Sequence, residues 1–245
     1  MKTILLSLLV ICVGARCEAN LVVYSNDFDG NVQTSPGTSV NISGGTGTGG
    51  GIAGGITSSQ GYAAHSNFGG NFWRVTAPDD VLQFDITNIP SHTDVSVCFS
   101  LAMIDSWDGT SGAFGTDIIN VAIFDGATQI GGLSEAYSSN NAPSSNVESV
   151  IVQDQQLGFN LGEPFWHEDG YRMCFNNLTH SSGSLTLEFW GSSGGTGSGF
   201  QGGDDESFAI DELVVTSSPE PASLMYLLLA SILTVMRRPG RQQVC

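Results

Sequence analysis

Apolar residues alternate with polar residues along much of the central part of the chain. Val121 and Ile123 are separated by one residue, and so are Leu185, Leu187 and Phe189. Because successive side chains of a β-strand point to opposite faces, this spacing predicts strands with one buried face. Val, Ile, Phe and Thr predominate in these segments, as is typical of strands. Nine strands are predicted, at residues 21–26, 72–76, 81–87, 95–104, 118–124, 147–152, 172–175, 185–190 and 208–216.

The predicted strands are separated by Gly, Asn, Asp, Ser and Pro, the residues that form turns. No segment between them has the pattern of the crossover helix that a parallel α/β fold requires. Residues 20–216 are therefore predicted to form an all-β domain, a two-sheet antiparallel β-sandwich of the jelly-roll kind. Two glycine-rich segments, 43–57 and 191–203, are predicted to be long, mobile surface loops, because glycine loses much backbone entropy in a strand.

The first 19 residues have the pattern of a secretory signal peptide. Lys2 precedes an unbroken apolar stretch from residue 4 to residue 13, and small residues follow, with Ala19 as the predicted last residue. An apolar run of about ten residues is too short to cross a bilayer, which takes about 20 residues. A buried N-terminal helix is the alternative interpretation. We expect signal peptidase to remove this segment and the protein to be exported.

Residues 217–245 combine three features in a fixed order. A Pro-Glu-Pro tripeptide comes first, an apolar segment from residue 222 to residue 236 follows, and arginines lie near the C-terminus. The prolines disfavour helix and sheet pairing, which predicts an extended strip. An apolar helix followed by arginines predicts a membrane segment whose end stays in the cytoplasm. The residues concerned are Pro219, Glu220, Pro221, Arg237, Arg238 and Arg241.

This order of features resembles the PEP-CTERM sorting signal of bacteria. The resemblance implies that an exosortase, a transpeptidase-like membrane enzyme of an exopolysaccharide-producing bacterium, recognises Pro219, Glu220 and Pro221. It also implies that the protein is held in the inner membrane before processing and then reaches the cell surface or the extracellular matrix. An ordinary C-terminal membrane anchor is the alternative interpretation of the same segment.

The charge balance excludes a basic nucleic-acid-binding surface. The chain carries 24 acidic and seven basic residues, a formal net charge of −17. Glu18 and Glu220 lie in the terminal segments, so 22 acidic residues fall in the predicted domain, against only Arg74 and Arg172. Such a surface repels phosphate backbones.

The cysteines favour an oxidising compartment. Cys12 and Cys17 lie in the predicted signal peptide and Cys245 lies in the tail, so Cys98 and Cys174 are left in the domain. An even pair in an exported protein favours a disulfide over a metal site. Two buried free thiols on unrelated strands are the alternative.

Acidic clusters near both ends of the domain predict a calcium site. The segment from residue 208 to residue 215 resembles the last strand of secreted jelly-roll and carbohydrate-binding modules, in which such acids can hold a structural calcium ion. Carried over by position, the candidates are Asp27, Asp29 and Asp211. Carboxylate oxygens are the ligands that Ca²⁺ prefers. A second candidate cluster contains Asp105, Asp108 and Asp117, and solvated turn aspartates are the alternative for both.

Tryptophans suggest how a glycan would be held, because aromatic rings stack on the apolar faces of sugars. Trp107 and Trp166 lie in turn-like surroundings and are the predicted surface residues, whereas Trp190 ends an alternating strand and is predicted to be in the core.

The favoured function is that of an exported, non-catalytic envelope or matrix protein, sorted by exosortase and associated with surface polysaccharide. A carbohydrate-binding module with a specific glycan ligand is the alternative. A secreted glycan hydrolase is a third interpretation, with His167, Glu168 and Asp169 as its candidate acid–base cluster.

Overall fold

A computed structural model describes residues 20–109, 115–138, 142–160, 166–194, 199–203 and 205–219. The described residues form β-strands and one short 3-10 helix, Gln60–Ala64. The strands are β1 Leu21–Asn26, β2 Val32–Thr34, β3 Ser39–Ser43, β4 Thr48–Gly49, β5 Ile52–Ala53, β6 Gly55–Ser58, β7 Asn71–Val75, β8 Leu82–Thr87, β9 His92–Asp105, β10 Thr116–Asp125, β11 Thr128–Ala136, β12 Val147–Gln155, β13 Glu168–Thr179, β14 Ser184–Gly194 and β15 Glu206–Pro219.

Two antiparallel sheets make up the architecture, as the alternation predicts. The larger sheet has the order β12-β13-β9-β15-β1-β2, and β7 pairs with both β15 and β6. The smaller sheet has five strands in the order β11-β10-β14-β8-β3. Strands β4 and β5 form a separate two-stranded ribbon.

The core lies between the two sheets. Val97, Phe99 and Leu101 of β9 are fully buried, and Leu187 and Phe189 of β14 face them from the smaller sheet. The rings of Phe99 and Phe189 meet edge to face with their centroids 5.0 Å apart. Each such side chain contributes about 1.5–3 kcal/mol by leaving water.

A second, smaller core covers the outer face of the larger sheet. Tyr62, from the 3-10 helix, packs with Phe68 and Phe72 on Ala102 and Ala209. The hydroxyl oxygen of Tyr62 lies 2.8 Å from the carbonyl oxygen of Met103 in β9, which ties the helix to the sheet. The sequence pattern does not predict this cover.

The glycine-rich segment 43–57 is ordered strand and turn, so the prediction of a mobile loop is wrong there. It contains β4, β5 and β6, and β6 pairs with β7. The carboxylate of Asp80 accepts hydrogen bonds from the amides of Gly45 and Gly47, at 3.0 and 2.6 Å. A Cβ atom on Gly45 would lie 2.9 Å from the indole nitrogen of Trp73. Glycine is therefore required here for close packing, and tertiary contacts hold the segment in place.

The second glycine-rich segment is also strand at its start. β14 continues to Gly194, paired with β10 through Thr116. A Cβ atom on Gly191 would lie 2.6 Å from the ring of Phe200, so this glycine too is required by packing. Residues 195–198 and 204 lie outside the described residues.

The two ends of the domain lie side by side. Leu21 of β1 pairs with Ser217 of β15, and the hydroxyl of Ser218 donates a hydrogen bond to the side-chain oxygen of Asn20 at 3.3 Å. β15 extends three residues beyond the predicted strand and ends at Pro219, which pairs with His92. The predicted signal peptide, Glu220, Pro221 and the arginines at 237, 238 and 241 lie outside the described residues. Within the part of the chain that the structure describes, no helix has the length and apolar character to span a membrane.

Cys98 and Cys174 form a disulfide between β9 and β13, with their Cα atoms 4.2 Å apart. They are direct partners in the antiparallel register. The amide of Cys174 donates to Asn146 on the other side of β13, so the two cysteines occupy a non-hydrogen-bonded pair, where Cα atoms approach most closely. The alternative of two free thiols on unrelated strands is therefore not what the structure contains.

Candidate functional site

The outer face of the five-stranded sheet combines aromatic and polar side chains. Along β14, Leu185, Leu187 and Phe189 point into the core, so the residues between and after them point outward. Trp190 is one of these outward residues and is half-buried. The prediction that Trp190 lies in the core is therefore wrong. The alternation of β14, which the sequence shows, was sufficient to place it on the outer face.

The neighbouring strands bring further side chains onto the same face. The register pairs Glu188 with Gln83 of β8 on one side of β14. On the other side it pairs Thr186 with Phe124 and Trp190 with Asn120, both from β10. These outward residues belong to three strands that are distant in sequence, so only the sheet assembles them.

Hydrogen bonds hold part of this face in one conformation. The amide nitrogen of Gln83 lies 2.9 Å from both carboxylate oxygens of Asp85, and the hydroxyl of Thr186 donates to Asp85 at 3.0 Å. Among the hydrogen bonds within the described residues, none involves the carboxylate of Glu188. Glu188 is thus available to accept hydrogen bonds from a ligand.

An open depression of about 320 Å³ lies on this face, beside the turn between β10 and β11. It is lined by Gln83, Phe124, Gly126, Ala127, Thr186 and Glu188. An aromatic ring beside a carboxylate, an amide and a hydroxyl is a combination that can stack on an apolar surface and hydrogen-bond to many hydroxyl groups. Phe124 and Trp190 are offset by four residues along the paired strands, which corresponds to about 13 Å.

Trp107 does not form part of any surface, so its prediction as a glycan-stacking residue is wrong. Only 2% of it is exposed, and its indole nitrogen donates to the carbonyl oxygens of Ile104 and Ser207 at 3.1 and 3.0 Å. The rings of Tyr137 and Phe200 pack against it. Trp166 is half-buried and lies before β13, away from the outer face of the smaller sheet.

The predicted calcium residues do not converge as a trio. Asp29 and Asp211 both lie next to Gly69, where a Cβ atom would be 2.0 Å from the nearer Asp29 oxygen and 3.7 Å from Asp211. Asp27 instead stabilises its own loop, because its carboxylate accepts from the amides of Asp29 and Asn31 at 3.0 and 2.9 Å.

Backbone and side-chain N–H groups occupy the oxygens of the remaining pair. Gly69 donates to Asp211 and Gly70 donates to Asp29, each at 2.7 Å. The second oxygen of Asp29 accepts from Asn71 at 2.8 Å, and that of Asp211 accepts from Glu212 at 2.7 Å. N–H donors of the protein therefore occupy the oxygens at which calcium was expected to bind.

A different carboxylate trio does converge. Asp108, Asp117 and Glu206 each offer an oxygen, and these oxygens lie within 4.8 Å of one another, the arrangement among the described residues that could hold a metal ion. Burial raises the pKa of Asp117 to about 6, although the amide of Asp108 opposes the shift. Burial likewise raises the pKa of Glu206 to about 8, and the charges of Asp117 and Asp205 add to it.

The structure brings together two of the three residues of the second acidic cluster that the sequence predicts. That cluster contained Asp108 and Asp117 but not Glu206, which comes from the start of the last strand. Asp105 lies opposite Glu206 in the register, with an oxygen 3.7 Å from the guanidinium of Arg74.

The side chains of the candidate acid–base cluster, residues 167–169, are bonded to other groups of the protein. Glu168 and Asp169 are each 1% exposed. Glu168 accepts a hydrogen bond from the amide of Leu157 at 2.6 Å, and Asp169 accepts from the amide of Asp154 at 2.7 Å and from the hydroxyl of Tyr137 at 2.5 Å. His167 contacts Asp154 through its Nδ1 atom. Carboxylates that are buried and already hydrogen-bonded cannot reach a substrate.

No protein-family model and no curated protein matches the chain. Solved structures with some similarity include three carbohydrate-binding modules. TmCBM61 in complex with β-1,4-galactotriose has 10% identity and a TM-score of 0.37, over 73% of this chain and 88% of that chain. CBM36 in complex with calcium and xylotriose has 12% identity and a TM-score of 0.31, over 71% and 98%. TmCBM27, described for specific mannan recognition, has 11% identity and a TM-score of 0.33, over 81% and 98%.

Proposed function

We propose that this chain is an exported, non-catalytic β-sandwich protein that binds polysaccharide through the outer face of its five-stranded sheet. The observation that carries the proposal is the open depression in which Phe124, Gln83 and Glu188 meet, with Trp190 further along the same face. Sugar rings present apolar faces and a rim of hydroxyl groups, and these residues match both.

The arrangement favours a chain of sugars over a single one. Phe124 and Trp190 are separated by about 13 Å along the sheet, so one monosaccharide cannot contact both. Between them, outward polar side chains from β8 and β14 offer hydrogen-bond donors and acceptors. An extended glycan lying along β14 would use the whole row.

The wider setting supports a role at the cell surface. The Cys98–Cys174 disulfide is typical of exported proteins. The last strand ends at Pro219, the first residue of the tripeptide that resembles an exosortase recognition sequence. We propose that the domain is exported, held by its C-terminal segment, and sorted by exosortase to the polysaccharide that it binds. The chain crosses from the smaller sheet at β8 to the larger sheet at β9 and returns at β10, a connection that fits the jelly-roll topology.

We further propose that Ca²⁺ binds at Asp108, Asp117 and Glu206. Three carboxylates whose oxygens lie within 4.8 Å repel one another unless protons or a cation neutralise them. Ca²⁺ prefers carboxylate oxygens and would link the start of β10 to the start of β15. It would act structurally, away from the outer face of the smaller sheet.

The glycan-binding proposal is tested by calorimetric titration of the folded domain with β-1,4-galactotriose, xylotriose and a mannan. Binding to at least one probe is expected. Trp190→Ala should weaken it at least about tenfold, in keeping with the loss of a stacking ring. The matched control is Trp166→Ala, since Trp166 is also half-buried but lies outside the face, and it should leave the affinity within about twofold.

The result that contradicts the assignment is binding that survives both Trp190→Ala and Phe124→Ala in variants that still unfold cooperatively. Loss of binding in Trp166→Ala alone would move the binding surface to the position that the sequence predicted. Failure of every probe, including polysaccharide isolated from the producing bacterium, would overturn glycan binding altogether.

A further inference from the structure

Among the described residues, the outer face of the five-stranded sheet carries acidic side chains and no basic one. Asp85 of β8 and Glu188 of β14 point outward from it, and Asp125 ends β10 beside the depression. Their neighbours on the face are neutral: Gln83, Thr186, Phe124 and Trp190.

The two arginines of the described residues are committed elsewhere. Arg74 belongs to the larger sheet, is 7% exposed, and donates to the hydroxyl of Ser207 at 2.9 Å and to the carbonyl oxygen of Gly203 at 3.1 Å. Arg172 also belongs to the larger sheet and donates to the carbonyl oxygen of Glu212 at 2.9 Å. Neither guanidinium can reach a ligand on the outer face of the smaller sheet.

His180 lies close to the end of β10 but is also unable to contact a ligand. The Nε2 atom of His180 lies 3.8 Å from Asp125, but its side chain has no exposed surface and faces His92 and the carbonyl oxygen of Ser184. Burial lowers the pKa of His180, which keeps its imidazole from supplying a stable positive charge.

Asp85 and Glu188 differ in what they can offer to a ligand. Both oxygens of Asp85 already lie within hydrogen-bond distance of Gln83, and one also accepts from Thr186. Glu188 lines the depression and takes part in none of the hydrogen bonds within the described residues. It is therefore the carboxylate that a ligand would meet first.

From this charge distribution we infer that the face selects glycans with free amino groups, such as partly deacetylated amino-sugar polymers, and rejects uronate-rich or sulfated ones. An ammonium group on the sugar donates a charge-assisted hydrogen bond to the carboxylate of Glu188. A uronate carboxylate at the same place meets a like charge with no cation to compensate, which disfavours binding. This inference rests on the proposed glycan-binding function and specifies its substrate class.

The test is calorimetric titration at pH 6 and 0.15 M ionic strength with three oligosaccharides of equal length. They are oligoglucosamine, its fully N-acetylated counterpart and oligogalacturonate. We expect oligoglucosamine to bind at least about tenfold more tightly than the acetylated form, and oligogalacturonate to bind more weakly than either.

A pair of charge-matched variants separates contact at the face from the general attraction of an acidic protein for a polycation. Glu188→Gln should lower the affinity for oligoglucosamine about tenfold and leave that for the acetylated form within twofold. Glu148→Gln removes the same charge from the larger sheet, where Glu148 is 63% exposed, and should change neither affinity.

The possible failures are distinguishable. If the acetylated and amino forms bind equally and Glu188→Gln has no effect, the inference on charge is wrong while glycan binding stands. An equal loss of affinity in Glu188→Gln and Glu148→Gln would show that net charge, not the face, attracts the amino groups, and would also overturn it. Absence of binding to every neutral and charged oligosaccharide would overturn the proposed function itself.

Discussion

Asp211 is buried at the junction of the first and last strands, and its ionisation should limit the stability of the domain at neutral pH. The side chain is completely buried at a β-bulge of β15, where Glu212 adopts a left-handed backbone conformation. Burial raises the pKa of Asp211 from 3.8 to about 7, against the lowering effect of the Gly69 and Glu212 amides. The charges of Glu212 and Asp29 raise it further.

The sign and size of the effect follow from linkage. Because the pKa is raised, the folded state keeps a proton between pH 3.8 and about 7 that the unfolded state has lost, so stability falls as the pH rises through this window. Each pKa unit corresponds to about 1.4 kcal/mol, and about two units of the window lie between pH 5 and pH 8. Ionisation of Asp211 should therefore cost on the order of 2.5 kcal/mol between pH 5 and pH 8.

The perturbation is Asp211→Asn, which removes the ionisation and keeps the shape of the side chain. The free energy of unfolding is measured by urea denaturation with EDTA present, at pH 5, 6.5 and 8. Relative to the unsubstituted protein, the variant should gain about 2.5 kcal/mol between pH 5 and pH 8. Its loss of one amide hydrogen bond lowers stability at every pH and does not affect this difference. The control is Asp79→Asn, because Asp79 is an exposed loop residue with positive φ, which asparagine tolerates.

Parallel pH dependence of the Asp211→Asn variant and the unsubstituted protein would refute the reasoning. A second set of measurements replaces EDTA with CaCl₂. If amide dipoles neutralise Asp211, calcium leaves the difference between the two proteins unchanged. If calcium stabilises only the protein with Asp211 intact, the ion binds at Asp29 and Asp211 as the sequence predicted, and the explanation from amide donors is wrong.

Four further predictions concern the disulfide, the acidic trio, the histidine pair and the C-terminal tail. Replacing Cys98 and Cys174 together by Ser should lower the free energy of unfolding by about 4 kcal/mol, since the bridge closes a loop with a sequence separation of 76; unchanged denaturation midpoints under oxidising conditions would contradict this. CaCl₂ should stabilise the domain relative to EDTA by about 2.7 kcal/mol at a hundredfold excess over Kd, which raises the melting temperature. Asp117→Asn should remove most of that response. Equal melting curves with calcium and with EDTA would exclude the site. Burial, together with the nearby His92, lowers the pKa of His180 below 6.5. The neutral imidazole therefore contributes stability that is fully present above pH 6.5 and is lost as the pH falls below it. An NMR titration in which this ring is protonated above pH 6.5 would contradict the lowered pKa. The mature protein should lack residues beyond about 221, as the resemblance of the tail implies; mass spectrometry of envelope material that detects an intact C-terminus at Cys245 would refute it.

The strands that the sequence predicts correctly are those in which large side chains mark the period of two. β1 has the predicted bounds, and the predicted segments in β9, β10 and β14 lie within the observed strands. The segment predicted for β8 begins one residue before the observed strand. The strands from β2 to β6 were missed because they are short, exposed or rich in glycine, and glycine has no side chain to show which face is buried. Contacts with residues far along the chain hold these strands in place, such as the hydrogen bond from Gly45 to Asp80 and the pairing of β6 with β7.

The candidate sites show the same division. The sequence neighbours of Trp107 are turn-forming residues, but Tyr137 and Phe200 enclose it from distant parts of the chain. Asp108 and Asp117 could be selected as acidic residues near one another in sequence, whereas Glu206 joins them only because β15 begins beside them.

By itself the sequence determined the all-β class, the disulfide partners, the excess of acidic residues and the terminal segments that resemble export and sorting signals. These properties depend on composition, on local periodicity and on a count of cysteines. Only the tertiary structure decided which carboxylates meet, that rings from distant parts of the chain enclose Trp107, and that Gln83, Phe124 and Glu188 line one depression. The physical reason is that sheet register brings together residues from separate strands, and register is set by long-range pairing and core packing, which no local pattern encodes.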